Sequence, residues 1–401
     1  MAERSPSGLA RSPVAPRRLA LVLTLSAMAC SGYEAPVAPL APVDPGGSPV
    51  ATVLLVGDGG AVTSDSPILA HLGADARRSA SLGPTLVAFL GDNVYPDGVR
   101  APGDPEHGRD TTKLALQLEA VAGSGARALF MAGNHDWAGG AEDGLSTLER
   151  QAAWVEAADR RGAPVTWLPE AGCPGPSVVD VAEVRLVVLD TQWFIHEHAR
   201  GCAERAPKEI SDALTTAIDG AEGREVVVLG HHPLRTHGPH GGYIPADRHL
   251  FPLRDLWSSA FVPLPVLGTA YVMARVWGIS DQDLAGDGNE RMRASIQQAL
   301  RSARRPPRLF AAAHEHSLQV LRGGEGGPAY HLVSGSASKV TPVSRAPGTL
   351  FATSEIGYLK VEVGARSIRL SAVVVTDRSS PEAPLGWCVR VDRASGSEAS
   401  C

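Results

Sequence analysis

Five short apolar runs each end in a small residue followed at once by residue types that bind metals, and this recurrence constrains the fold more than any other feature. ATVLLVG (51–57) leads into Asp58-Gly59-Gly60, TLVAFLG (85–91) into Asp92-Asn93-Val94-Tyr95, and ARALFMAG (126–133) into Asn134-His135-Asp136. EVVVLG (225–230) leads into His231-His232, and RLFAAA (308–313) into His314-Glu315-His316. Runs of this length, rich in Val and Leu, read as buried strands, as does VRLVVLD (184–190). Amphipathic stretches at 67–80, 111–122, 145–160 and 208–220 read as helices between them, which makes a layered βαβ pattern. In such sheets ligands sit in the crevice outside the carboxyl ends of the strands, and each glycine lets the backbone turn sharply as it leaves.

Beyond residue 307 the rhythm changes. RLFAAAHEH, SLQVLRG, AYHLVSGS, GYLKVEV and SIRLSAVVV follow one another with turns and almost no helical stretch, which predicts antiparallel strands. The expected fold class is α/β: a four-layer α/β/β/α sandwich of two β-sheets flanked by helices, one domain over 51–376, then a Ser/Pro-rich tail over 377–401. Segment 235–287 breaks the pattern, with Trp257, Phe261, Trp277 and an uncharged stretch from Ser258 to Ala274. Pro263 and Pro265 and its short length exclude a transmembrane helix. It reads as an insertion packed on the body, or as a lid or membrane-surface contact beside the site.

The 401 residues carry 37 basic and 43 acidic side chains, a net charge of −6, and no Lys/Arg-rich run. Nucleic acid is therefore not an expected partner. Residues 1–29 hold four arginines, then the apolar run Leu19–Ala29, and read as a signal peptide cleaved after Ala27-Met28-Ala29. That places Cys30 first in the mature chain and resembles the lipobox of bacterial lipoproteins. The protein is expected to be exported, periplasmic or at the cell surface, with membrane contact through a lipid anchor at Cys30. Residues 30–50 form a Pro/Ala-rich tether. The remaining cysteines, Cys173, Cys202, Cys388 and Cys401, allow three disulfide connectivities, of which Cys173–Cys202 and Cys388–Cys401 close the shortest loops.

The five clusters together offer carboxylates, imidazoles, an amide oxygen and a phenol, too many ligands for one cation and about right for two. Two adjacent cations clamp a phosphoryl group and lower the pKa of a bound water, so phosphoester hydrolysis is the natural chemistry.

The ordered set GDGG, GDNVY, GNHD, GHH and HEH resembles the calcineurin-like metallophosphoesterase superfamily, and in detail the purple acid phosphatases of the small, mammalian-like type, over about residues 52–320. The superfamily's general pattern opens Asp-x-His; Gly60 stands at that histidine, and Tyr95, three residues after Asp92, stands where purple acid phosphatases supply a tyrosinate to iron. The resemblance implies Fe(III) held by Asp58, Tyr95 and His316, with Asp92 bridging. It implies a second ion, Fe(II), Zn(II) or Mn(II), on Asn134, His231 and His314. It casts His135 as a proton donor or phosphate contact, with His232 in the same role or a packing one, and a hydroxide generated at the metals as nucleophile.

The substrate implied is a small phosphomonoester; a phosphodiesterase or nucleotide hydrolase on the same centre, and a non-catalytic surface lipoprotein, are the alternatives. Ala313 departs from the family's usual glycine. His237 and His240 open the insertion and read as substrate contacts or as exposed or capping residues. Asp190-Thr191-Gln192-Trp193 ends a strand and reads as a helix start or turn, with lining of the pocket as the alternative, and His71, His107, His196, His198 and His331 as surface or structural residues.

Overall fold

A computed structural model describes residues 49–196, 201–202, 206–255, 260–324, 327–375 and 385–401. The first half runs β1 (Ala51–Val56), α1 (Pro67–Leu82), β2 (Thr85–Phe89), α2 (His107–Val121), β3 (Arg127–Phe130), α3 (Gly144–Arg160) and β4 (Val165–Trp167). Next come β5 (Ser177–Val181), β6 (Val184–Val188), α4 (Gln192–Ile195), α5 (Pro207–Asp219), β7 (Glu225–Leu229), α6 (Ala246–Leu250), α7 (Pro265–Val276) and α8 (Asp287–Ser302). Strands finish the chain: β8 (Leu309–Ala312), β9 (Leu318–Arg322), β10 (Tyr330–Ser334), β11 (Thr349–Thr353), β12 (Gly357–Val363), β13 (Ser367–Val374), β14 (Leu385–Asp392) and β15 (Glu398–Ser400).

They form an eight-stranded sheet, β15-β14-β13-β12-β1-β2-β3-β4, and a seven-stranded sheet, β11-β9-β10-β8-β7-β6-β5. Alternation along the strands divides the core into layers. In β1, Val53 and Leu55 face Leu186, Val227, Leu229 and Ala311 of the other sheet. Leu54 and Val56 face the opposite way, onto the apolar stripes of α1, α2 and α3. On the far side Val187, Val228 and Phe310 pack against α5 and α8. The result is the expected sandwich of two sheets flanked by helices.

Two details differ from the sequence expectation. The chain does not leave the fold at 376: β14 pairs antiparallel with β13, and β15 pairs with β14, so the last residues extend the first sheet. The Ser/Pro-rich signal came from the linker, and residues 376–384 lie outside the described ones. The closing strands are also not all antiparallel, because β8 pairs parallel with both β7 and β10. Helix α8 supplies the crossover that a parallel β7–β8 pair requires.

Both expected disulfides form, Cys173–Cys202 and Cys388–Cys401. The signal peptide, the Cys30 anchor, all but the end of the tether, Trp257 and His198 lie outside the described residues. No described helix is long and apolar enough to cross a membrane.

Candidate metal centre

β1, β2 and β3 run parallel, as do β7 and β8, so their carboxyl ends deliver the five clusters to one edge of the sandwich. The backbone there is unusual. Asp58, Asp92 and His314 have φ of 60°, 54° and 66°, in the left-handed region that non-glycine residues seldom occupy. Strain of this kind persists only where surrounding contacts over-determine it. Glycines permit the approach: a Cβ on Gly133 would stand 2.3 Å from Asp92 Oδ1 and 2.8 Å from His231 Cε1.

One group of side chains centres on Tyr95. Its hydroxyl donates to Asp58 Oδ1 at 2.7 Å, lies 3.2 Å from Asp92 Oδ2, and is 3.1 Å from His316 Nε2. Burial, with the charges of Asp58 and Asp92, pushes the phenol well above its ordinary pKa. Gly60 makes room for the turn that carries Tyr95. A Cβ on Gly60 would sit 2.7 Å from the Asp92 carbonyl oxygen and the Tyr95 nitrogen, so the turn that presents Tyr95 fills the place a side chain would need.

The second group centres on Asn134. Its Oδ1 lies 3.1 Å from His231 Nε2 and 3.0 Å from His314 Nδ1, which are 3.3 Å from each other. The opposite ring nitrogens settle the protons. His231 Nδ1 is 2.9 Å from the Leu90 carbonyl and His314 Nε2 is 3.0 Å from the Gln282 carbonyl, and a carbonyl can only accept. Burial holds the His314 imidazole well below its ordinary pKa, with the neighbouring histidines adding to the effect. The lone pairs of His231, His314 and Asn134 thus converge with no hydrogen to share. A cation resolves that convergence, and this donor set fits one.

Asp92 touches both groups, because its Oδ1 is also 3.4 Å from His231 Nε2. Burial would raise its pKa, but the neighbouring imidazoles and the His135 backbone N–H hold it below the ordinary carboxylate value. All seven residues expected as ligands are thus brought together.

His135 is part-exposed at the mouth. Its backbone N–H donates to Asp92 Oδ1 at 2.9 Å, its Nδ1 donates to the Pro96 carbonyl, and Nε2 lies 3.9 Å from Asp92 Oδ2. His232 is placed differently. It is fully buried, Nδ1 is 2.9 Å from Thr191 Oγ1 and Nε2 is 2.8 Å from Gln282 Oε1, so neither nitrogen is left for a substrate. Burial lowers its pKa to about 3. This favours the packing role for His232.

Of the insertion histidines, the His240 ring lies 4.1 Å from that of His314, the planes tilted by 38°, with Nδ1 2.8 Å from Asp283 Oδ1, whereas His237 is tied to Thr349 Oγ1 at 2.8 Å. The start of the insertion therefore packs on the metal edge, while α7 exposes Val266, Leu267 and, at its end, Trp277.

Other functional neighbours carried weaker signals. Buried Glu315 accepts from the His240 backbone N–H at 3.0 Å and Thr341 Oγ1 at 3.0 Å, clamping two loops to the last motif. Thr191 accepts from the backbone N–H groups of both His231 and His232, and its position at the end of β6 is a signal that places it on this edge. Asp190 holds Trp137 Nε1 at 2.9 Å and the first turn of α4, as the helix-start reading expects.

The chain is similar in sequence to purple acid phosphatases and in fold to PhoD. Among curated proteins, the chain is 26% identical over 184 residues to purple acid phosphatase 17 of Arabidopsis thaliana, covering 42% of this chain and 48% of that one. It is 25% identical over 182 residues to purple acid phosphatase 3 of the same plant, covering 42% and 44%. The chain thus matches about half the length of these relatives. Among solved structures, PhoD superposes with a TM-score of 0.53 at 13% identity, over 89% of this chain and 72% of that one. GAP50, titled the anchor in the inner membrane complex of Plasmodium, gives 0.47 at 15% identity, over 83% and 86%. No protein-family model matches the chain.

Proposed function

We propose that this protein is an exported metal-dependent phosphatase that hydrolyses phosphomonoesters at a two-cation centre. The observation that carries the reading is the pair of adjacent donor groups sharing Asp92, one with the Tyr95 phenol and carboxylates, the other with Asn134 and two imidazoles. The first set suits Fe(III) and the second Fe(II), Zn(II) or Mn(II). Such cations, when bound, neutralise phosphoryl charge and acidify a water.

The chain's own residues do the rest. Leu90 and Gln282 fix the imidazole tautomers, so the ligand lone pairs need no rearrangement. His135, part-exposed with its Nδ1–H held by the Pro96 carbonyl, presents Nε2 to a leaving oxygen and, as the imidazolium, donates the Nε2 proton to it. The N-terminal segment would export the chain and anchor it through Cys30.

The test is metal analysis and visible absorption of the mature domain beginning after Cys30, with rates on 4-nitrophenyl phosphate and bis(4-nitrophenyl) phosphate. Two metals per chain, a visible band lost in Tyr95→Phe, and faster monoester turnover support the proposal. Two metals with no band and preferred diester turnover would replace it with a phosphodiesterase using Zn or Mn. A Cys30→Ser variant released from membranes would support the anchor.

A further inference from the structure

The strands that build the metal edge include β10, which runs parallel to β8 and so points its carboxyl end the same way. The loop it leads into, Gly335-Ser336-Ala337-Ser338-Lys339, is fastened to the site. The Ser338 hydroxyl donates to the Asp58 carbonyl, and the Ala61 N–H donates to Ser338 Oγ at 3.2 Å. A Cβ on Gly335 would stand 2.7 Å from Asp58 Oδ2, so the loop backbone lies directly on a ligand.

This loop carries a cation to the mouth. Lys339 Nζ sits 3.3 Å from the centroid of the Tyr95 ring, within the electrostatic reach of Asp92 and Asp58. The residue is exposed, and among the described residues no carboxylate lies within ion-pair distance of it. Tyr95 thus has part-exposed His135 at 4.6 Å, edge to face, and exposed Lys339 at 3.3 Å. Most of the ligand imidazoles are buried below.

An anion entering from solvent therefore meets an ammonium and an imidazole before the ligands. Lysine binds phosphate as a point charge, and its attraction scales with the charge on the ligand. A phosphomonoester is dianionic above a pKa of about 6, whereas a diester carries one charge.

We propose that Lys339 is a substrate-binding and specificity-determining residue that holds the dianionic phosphoryl group and favours monoesters over diesters. This rests on the phosphatase reading above. The ammonium seats the phosphoryl oxygens beside His135 and offsets the repulsion of Asp58 and Asp92. It also holds inorganic phosphate, the product.

The test compares metal-loaded wild type with Lys339→Met and Lys339→Arg near pH 7, using the same two nitrophenyl esters, inorganic phosphate as inhibitor, and metal analysis. Lys339→Met is expected to raise the monoester KM and the phosphate inhibition constant about tenfold and to lower kcat by a smaller factor. Its effect on the diester is expected to stay below about threefold, and Lys339→Arg to recover most of the monoester KM. Equal losses on both esters, or loss of metal in Lys339→Met, would overturn the assignment and make the lysine a support for the ligands. Wild-type kinetics in Lys339→Met would overturn it as well. If wild type binds metals but cleaves neither ester, the phosphatase reading fails separately. Calorimetric titration with inorganic phosphate then decides on Lys339: weaker binding in Lys339→Met supports an anion site, and equal binding refutes it.

Discussion

Backbone sterics leave no room for a side chain at Gly60, and adding a single carbon tests this. Gly60 is locked to the turn it faces: its N–H donates to the Asp92 carbonyl at 2.8 Å, and the Tyr95 N–H donates to the Gly60 carbonyl at 3.1 Å. A Cβ would meet Asp92 O and Tyr95 N at 2.7 Å and Val94 N at 2.8 Å, all backbone atoms that cannot rotate away. Overpacking costs about 1–3 kcal/mol, and three simultaneous backbone contacts put Gly60→Ala near the top of that range. With an unfolding entropy of about 2.1 cal/mol/K per residue over roughly 330 residues, about 3 kcal/mol lowers Tm by about 4 °C. Because the turn must move, Tyr95 is drawn off Asp58, and the metal on that side weakens. Gly60→Ala and Gly60→His should therefore melt alike, since the offending atom is shared. The assay is thermal unfolding of both variants, metal-free and metal-loaded. A Gly60→His protein that melted with wild type and bound metal through its new imidazole would refute the reasoning.

Three further outcomes are expected. Asp92→Asn should abolish activity and reduce both metals, measured by elemental analysis, because one carboxylate faces both donor groups. His331 is buried, which with Arg235 lowers its pKa to about 4, whereas the unfolded chain titrates near 6.5. Between those values the unfolded chain holds a proton that the native state lacks, so stability rises with pH from about 4 to 6.5 and falls on acidification, by up to about 3 kcal/mol. Urea unfolding at both ends of that window should show the slope reduced in His331→Gln. Replacing both Cys173 and Cys202 by Ser opens a loop with a sequence separation of 29 and should cost about 3.6 kcal/mol in the chain-entropy estimate, read as a lower urea midpoint.

The clustering of the candidate ligands was legible because chemistry and topology coincide in them: each follows an apolar run long enough to be a strand, and parallel strands put their ends together. The disulfides followed from loop length alone. What escaped was set by contacts between distant segments. Nothing near Gln282 signals that its carbonyl and side chain would hold His314 and His232. The Glu315 side chain, between His314 and His316, accepts from Thr236, His240 and Thr341, all on other loops. Lys339 was hidden because the closing strands were expected to be antiparallel, and the parallel β8–β10 pair turns its loop toward the candidate centre. The last strands were missed because a polar linker precedes them, while alternating Val389 and Val391 still reach the core.

The position of β1 has a consequence for how the chain is made. It lies between β2 and β12, and Ala51 is paired with Val363. A nascent chain that has emerged only as far as the α8 helix holds most of the ligands, yet its first sheet still ends at a bare hydrophobic edge. Synthesis must run past Val363 before that edge is covered, and long-range pairing of this kind is slow. Until then the β1 edge stays uncovered. The two donor groups share residues from both sheets, so under the proposed function a complete centre forms only once the sheets have closed on each other.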